Sequence, residues 1–266
     1  MAQLNNPMEI LKLLDKSNCR KCNEATCLAF AAAVARGQRA LNECPNIAED
    51  VIKQFGGEAL DRKPPDGDVE EGLNQLKARL RTIDLAAAAK RLNTPFKDGK
   101  LTLKVCGKDF SVDSKGNFSS EIHIHSWLIL PVLNYILEGA GVEPSGKWVP
   151  FRELKGGKDW GRFFEHRCEK PMKKVADTYT DFFADVLHVF AGRQVERHFD
   201  SDISLVLHPL PKVPILICYW RPEDGLESDF HLFFDSTAER NLSIETIYLL
   251  TTGLAIMFEK IALRHN

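Results

Sequence analysis

At 266 residues, with 44% hydrophobic and 27% charged side chains, the chain is long enough for a substantial core and has the balance of a globular protein. A formal net charge of -2 and a pI near 6.5 leave no footprint for a polyanion, so no nucleic-acid partner is expected. The start, MAQLNNPMEILKLLDKSN, has no basic segment leading into an apolar run and reads as carrying no export signal. The reducing cytoplasm is therefore the expected location, and an odd count of seven cysteines makes disulfides the weak reading.

In chain order, residues 1–55 combine a cysteine cluster with an alanine-rich helical pattern. Residues 56–72, GGEALDRKPPDGDVEEG, mix glycine, a proline pair and many acidic side chains, the profile of an exposed linker. Residues 73–266 read as one larger domain. It opens with LNQLKARLRTIDLAAAAKRLN, helical in periodicity throughout. KLTLKVCGKDFSVDSKGNF alternates on both sides of Gly107-Lys108 and predicts a hairpin. SWLILPVLNYILEGAG predicts a buried helix with Pro131 near its first turn. Two aromatic-rich helical patterns come next, around Phe163 to Ala176 and Tyr179 to Phe190, where the aromatics read as core. SDISLVLHPLPKVPILICYW and DFHLFFDST predict short strands. A helix from about Ser243 to Leu263 is interrupted by Glu245, Glu259 and Lys260, so it reads as buried or amphipathic and not as a membrane span. This order predicts an α+β fold: a small helical four-cysteine module followed by a larger mixed domain.

The chemistry concentrates in KSNCRKCNEATCLAFAAAVARGQRALNECP. Its spacing is C-x2-C-x4-C-x16-C, through Cys19, Cys22, Cys27 and Cys44. Two intervening residues let one reversal present Cys19 and Cys22 to the same point. Asn23 or Thr26 predicts a helix cap that sets Cys27 in the first turn, where the helix dipole favours a thiolate. Four converging thiolates repel one another and need a cation or cluster between them; zinc and an iron-sulfur cluster both accept sulfur-only ligation. A single knuckle, a third sulfur on a helix and a final Cys-Pro favour the cluster over zinc, which commonly takes two knuckles. Within residues 1–45, Lys12, Lys16, Arg20, Lys21, Arg36 and Arg39 outnumber Glu9, Asp15, Glu24 and Glu43, which suits an anionic centre.

On these residues, LLDKSNCRKCNEATCLAFAAAVARGQRALNECP resembles the iron-sulfur domain of the corrinoid iron-sulfur protein large subunit, the gamma subunit of acetyl-CoA decarbonylase/synthase. The resemblance implies a [4Fe-4S] cluster on Cys19, Cys22, Cys27 and Cys44. Arg20 and Asn23 stand where the usual N-C-G-x-C-G pattern has glycines. Nothing in residues 73–266 resembles the corrinoid-binding domain. Instead LTLKVCGKDFSVDSKGNF, GKWVPFRELKGG and LFFDSTAERNLS resemble an uncharacterised domain family of anaerobic bacteria and archaea, one often joined to such a cluster module. The expected function is electron transfer to, or reductive activation of, a metalloenzyme, redox protein or corrinoid partner in an anaerobe. The alternatives are an enzyme whose larger domain uses the cluster as electron source, and a zinc-stabilised binding or assembly protein.

Other candidates have plainer readings beside the functional ones. His123 and His125 point to one side of a strand and offer two metal ligands without an evident third. Asp200, Asp202, Asp224 and Asp235 gather near strand ends, where turns recruit aspartate for its own hydrogen bonds as well as for acid-base work. Cys106, Cys168 and Cys218 read as small buried hydrophobes. For the enzyme reading, convergence of His123, His125, Asp200, Asp202 and Asp235 is the criterion.

Overall fold

The computed structural model describes residues 7–22, 24–35, 41–48, 51, 65–121, 126–179, 181–223 and 225–265. The chain divides into two units, Met1–Gly72 and Leu73–Asn266. In the first, α1 (Pro7–Leu13) and α2 (Cys27–Ala35) pack together. Their small core comprises Ile10, Leu14, Phe30, Ala31, Val34, Leu41 and Ile47, with Cys27 and Cys44 among them. The alanines of α2 carry little bulk, so the two helices meet closely around the fully buried Phe30. Of the stretch expected as a linker, residues 56–72, residues 56–64 lie outside the described residues. From Pro65 it is instead helical, as the start of α3 (Pro65–Leu80).

The second unit is α+β. The single helical pattern expected over residues 73–93 is broken in two: α3 ends at Leu80, and α4 (Leu85–Leu92) begins afresh. Asp84 causes the restart, because its carboxylate accepts from the N-H groups of Ala86 and Ala87. Next comes an antiparallel meander, with β1 (Phe96–Lys97), β2 (Lys100–Val105), β3 (Lys108–Asp113) and β4 (Phe118–Ser120) in sequence order. The expected hairpin is β2–β3, closed by Cys106-Gly107 with φ of 47° and 79°. Gly107 is required there: a Cβ would lie 2.3 Å from that of Ala191. In α5 (Ser126–Glu138), Pro131 lies inside the helix, deeper than the first turn expected for it.

Beyond β5 (Trp148–Pro150) come α6 (Gly157–Phe164), a π-helical turn at Glu165–Glu169, and α7 (Lys170–Thr178). The chain continues through α8 (Phe182–His188), β6 (Arg193–Gln194), β7 (Ile203–Leu210), β8 (Val213–Trp220), β9 (Asp229–Asp235), α9 (Ala238–Asn241) and α10 (Ile244–His265). The second sheet is antiparallel in the order β5-β9-β8-β7-β6. Its central strand β8 is buried from Val213 to Tyr219. One face, through Ile215, Ile217, Phe230, Leu232 and Phe234, joins the main core with Leu250, Leu254 and Phe258 of α10. By length and composition α10 is the one helix among the described residues that is apolar enough to cross a membrane, and half of that stretch is buried inside the protein. Its approach to α5 depends on Gly253, where a Cβ would lie 2.3 Å from the indole of Trp127.

Asp235, fully buried at the end of β9, organises the turns around that strand. Its carboxylate accepts from the N-H groups of Ser145, Gly146 and Thr237 and from the hydroxyls of Ser145 and Thr237. Burial opposes the charge, but these donors outweigh it and hold the carboxyl below its ordinary value of 3.8. Removing the acceptor strands three N-H groups, so Asp235→Ala should lower unfolding stability by about 3 kcal/mol in urea denaturation. A depressed folded-state pKa means that the contribution is complete above the unfolded value and is lost as pH falls through the folded one. The difference between wild type and Asp235→Asn should accordingly shrink as the solution is acidified below pH 3.8.

Candidate metal centre

All four clustered cysteines belong to the first unit. Cys27 is the first residue of α2, and Thr26 caps the helix by accepting from the Ala29 N-H at 3.0 Å. Asn23, the other expected cap, lies outside the described residues. Cys22 packs against the small core that contains Cys27 and Cys44, while Cys19 is exposed on the loop. The Asn46 side chain ties that loop to the segment after Cys44: its amide donates to Asp15 at 2.8 Å and lies 3.6 Å from Cys19 Sγ.

The loop backbone is turned toward sulfur. Lys16, Asn18 and Arg20 have φ of 59°, 50° and 61°, so every second residue is left-handed. Such alternation directs successive N-H groups to one side, as in anion-binding nests. The Asn18 N-H donates to Cys27 Sγ at 3.3 Å, and its side-chain oxygen accepts from the Cys27 N-H at 2.7 Å. The Lys21 N-H and then the Ser17 hydroxyl hold the Cys19 thiol below its ordinary pKa. Burial pushes the Cys44 thiol up despite the Asn46 N-H, and charge on Cys22, Asp15 and Cys27 pushes it further. Three sulfurs thus receive backbone donors, while the group repels its own negative charge. The Asp15 carboxylate stands 4.0 Å from Cys27 Sγ, and donors from Ser17 and Asn46 keep it below the usual carboxylate range.

This donor set fits an anionic inorganic centre. Four sulfurs on one zinc would stand about 3.8 Å apart, given Zn-S bonds near 2.3 Å. Among the described residues no three His, Cys, Asp or Glu side chains are grouped to hold a single metal ion. A cubane places less demand on sulfur proximity, because each cysteine binds a different iron.

The remaining candidates separate. His123, His125 and Asp224 lie outside the described residues. Asp202 accepts from the Arg221 N-H at 2.8 Å beside the last residues of β8, and Asp200 sits in a left-handed turn with φ of 56°. Asp235 occupies the other end of the sheet, about 20 Å away by the rise of β9. Asp200, Asp202 and Asp235 therefore form no common site, and the hydrogen bonds of Asp202 and Asp235 are those of turns. Cys106, Cys168 and Cys218 are buried singly. Burial raises the first two thiols to about 12.

Fold and cysteine loop together define an α+β protein with an iron-sulfur cluster domain at its N-terminal end. Residues 14–46 match the family described as "Putative Fe-S cluster". Residues 84–257, about two thirds of the chain, match the domain of unknown function DUF3786, and the protein belongs to that family. Among curated proteins it is 44% identical over 43 residues to the acetyl-CoA decarbonylase/synthase complex subunit gamma of Methanothermobacter thermautotrophicus, covering 16% of this chain and 9% of the relative. It is 45% identical over 42 residues to the corrinoid/iron-sulfur protein large subunit of Moorella thermoacetica, again 16% and 9%. A gamma subunit of Methanosarcina acetivorans is 35% identical over 48 residues, 18% of this chain and 10% of the relative. The chain thus spans about a tenth of the length of these relatives. No solved structure matches it.

Arg20 replaces a glycine of the usual pattern and retains the left-handed backbone that glycine adopts freely. Arg20→Gly should relieve that strain and stabilise the first unit by about 1 kcal/mol, measured as a higher urea midpoint under anaerobic conditions.

Proposed function

We propose that Cys19, Cys22, Cys27 and Cys44 hold one [4Fe-4S] cluster and that the protein is a cytoplasmic electron carrier for a metalloenzyme or corrinoid partner. The observation that carries the reading is that Cys19, Cys27 and Cys44 each receive a backbone N-H, from Lys21, Asn18 and Asn46. Such donors stabilise thiolate charge, and their number and aim tune a cluster's potential. When bound, the cluster supplies one-electron chemistry. The chain's own residues shape its surroundings: apolar side chains cover Cys27 and Cys44, and exposed Cys19 marks the side on which a partner would approach. Similarity to subunits of corrinoid and acetyl-CoA complexes supports a corrinoid-dependent partner.

Asp15 adds a fixed negative charge beside Cys27, which disfavours the more negative reduced state and supports a low potential. An EPR-monitored potentiometric titration of anaerobically prepared protein should show one reversible one-electron couple. Asp15→Asn should move it upward by on the order of 40 mV, the equivalent of about 1 kcal/mol. An unchanged potential would remove Asp15 from this role. Failure of the reduced protein to reduce cob(II)alamin, free or protein-bound, would contradict the corrinoid assignment.

A further inference from the structure

β5 is only three residues long, and its partners on β9 are Phe233 to Asp235. Among the described residues the outer edge of Asp229 to Leu232 consequently has no neighbouring strand, and the π-helical turn faces it. Glu169, on that turn, accepts from the Leu232 N-H at 3.0 Å, and the Asp229 side chain accepts from the Phe230 N-H at 2.8 Å. Both outward N-H groups of the open half are thus capped by carboxylates, which argues against an added peptide strand. Between this edge and the helices α6 and α7 lies a cleft of about 570 Å³, within the usual size of small-molecule sites.

The lining is uneven in a way that indicates its ligand. Phe151, Phe164, Phe230 and Leu232 form an apolar floor, with Phe151 and Phe164 stacked at 4.0 Å. Two lining lysines already have acidic partners, Lys170 with Glu165 at 2.9 Å and Lys173 with Asp177 at 2.7 Å. Arg152, Lys158 and Arg162 line the same cleft, are exposed, and have no side-chain partner among the described residues. Lys158 and Arg162 are one turn apart on α6, hence on one face, and Arg152 comes from the preceding 3-10 turn. Gly161 between them leaves the entrance open, since a Cβ there would meet only Arg152, at 3.9 Å. His231, with its ring nitrogens 3.4 Å from Glu169 and 3.1 Å from Asp229, stands at the opposite wall. In a chain of net charge -2, three uncompensated cations around one apolar cleft are a local reversal of sign. Their combined charge exceeds that of one carboxylate and suits a phosphate, which arginine forks recognise in bidentate fashion. π-turns are frequent at functional sites, and this one places both Glu165 and Glu169 on the cleft.

We propose that this cleft binds a small molecule carrying a phosphate group, with Arg152, Lys158 and Arg162 on the phosphate and the phenylalanine-lined floor against its apolar part. All of its lining residues belong to the second unit, and none of the four clustered cysteines is among them.

Calorimetric titration of the full chain, kept anaerobic, tests it with three probes: phenyl phosphate, inorganic phosphate and benzoate. Phenyl phosphate should bind saturably, at least tenfold tighter than inorganic phosphate, which lacks the apolar part, and than benzoate, which keeps the ring but carries a carboxylate. Arg162→Ala should weaken phenyl phosphate at least tenfold. Gly161→Leu, which fills the entrance without meeting backbone, should do the same, and Lys97→Ala on β1 should change nothing. Unchanged melting temperatures would establish that the variants are folded. Absence of saturable binding by the wild-type protein, equal binding by Arg162→Ala and Gly161→Leu, or preference for benzoate would each overturn the assignment.

Discussion

Mutual repulsion among thiolates is the constraint that shapes the N-terminal unit. Cys22, Cys27 and Cys44 share a core of only a handful of apolar side chains, and each charge raises the cost of the next. A core this small supplies little stability of its own. Binding of an iron-sulfur core, cationic until its thiolate ligands are counted and anionic with them, would convert that repulsion into cross-links between the loop, the start of α2 and the segment after Leu41, coupling cofactor loading to folding. Left-handed residues at Lys16, Asn18 and Arg20 make sense in that light, since their cost is offset by aiming N-H groups at sulfur.

The second unit needs no such centre. Its core runs continuously from α4 through both sheets to α10, and its buried carboxylate, Asp235, is satisfied by five donors from three residues. What it does show is a division of its charge. Carboxylates are spent on capping and turns, at Asp84, Asp202 and Asp235, whereas cations around α6 are left over. Arg152, Lys158 and Arg162 are exposed and hydrated, so they cost little as they stand; what marks the cleft is that they border an apolar floor of suitable size for a small molecule.

Legibility in the sequence tracked the range of the interactions. Local ones were readable: Thr26, one of two expected caps, the β2–β3 hairpin, whose turn falls at Cys106-Gly107 one residue before the expected Gly107-Lys108, and the β7–β8 and β9 runs all depend on near neighbours. The break at Arg81 to Asp84 hid inside good helix formers, although Asp84 before Leu85 carried the capping signal that would have revealed it. Strands β1, β4, β5 and β6 are two or three residues long and exist only through their partners, so no periodicity could announce them. The cleft combines residues 150–173 with 229–233, a pairing set by β5 alongside β9, and of the acidic residues singled out at strand ends Asp202 and Asp235 accept turn hydrogen bonds.

The redox role rests most heavily on one inorganic centre shared by Cys19, Cys22, Cys27 and Cys44. Mössbauer spectroscopy of protein prepared anaerobically with 57Fe, beside iron, sulfide and zinc analysis, addresses it directly. A shared cubane predicts a delocalised mixed-valence spectrum with equal iron and sulfide, lost in each of the four single Cys→Ala variants. Zinc without iron, or an iron spectrum unchanged by removing any one of these cysteines, would contradict it.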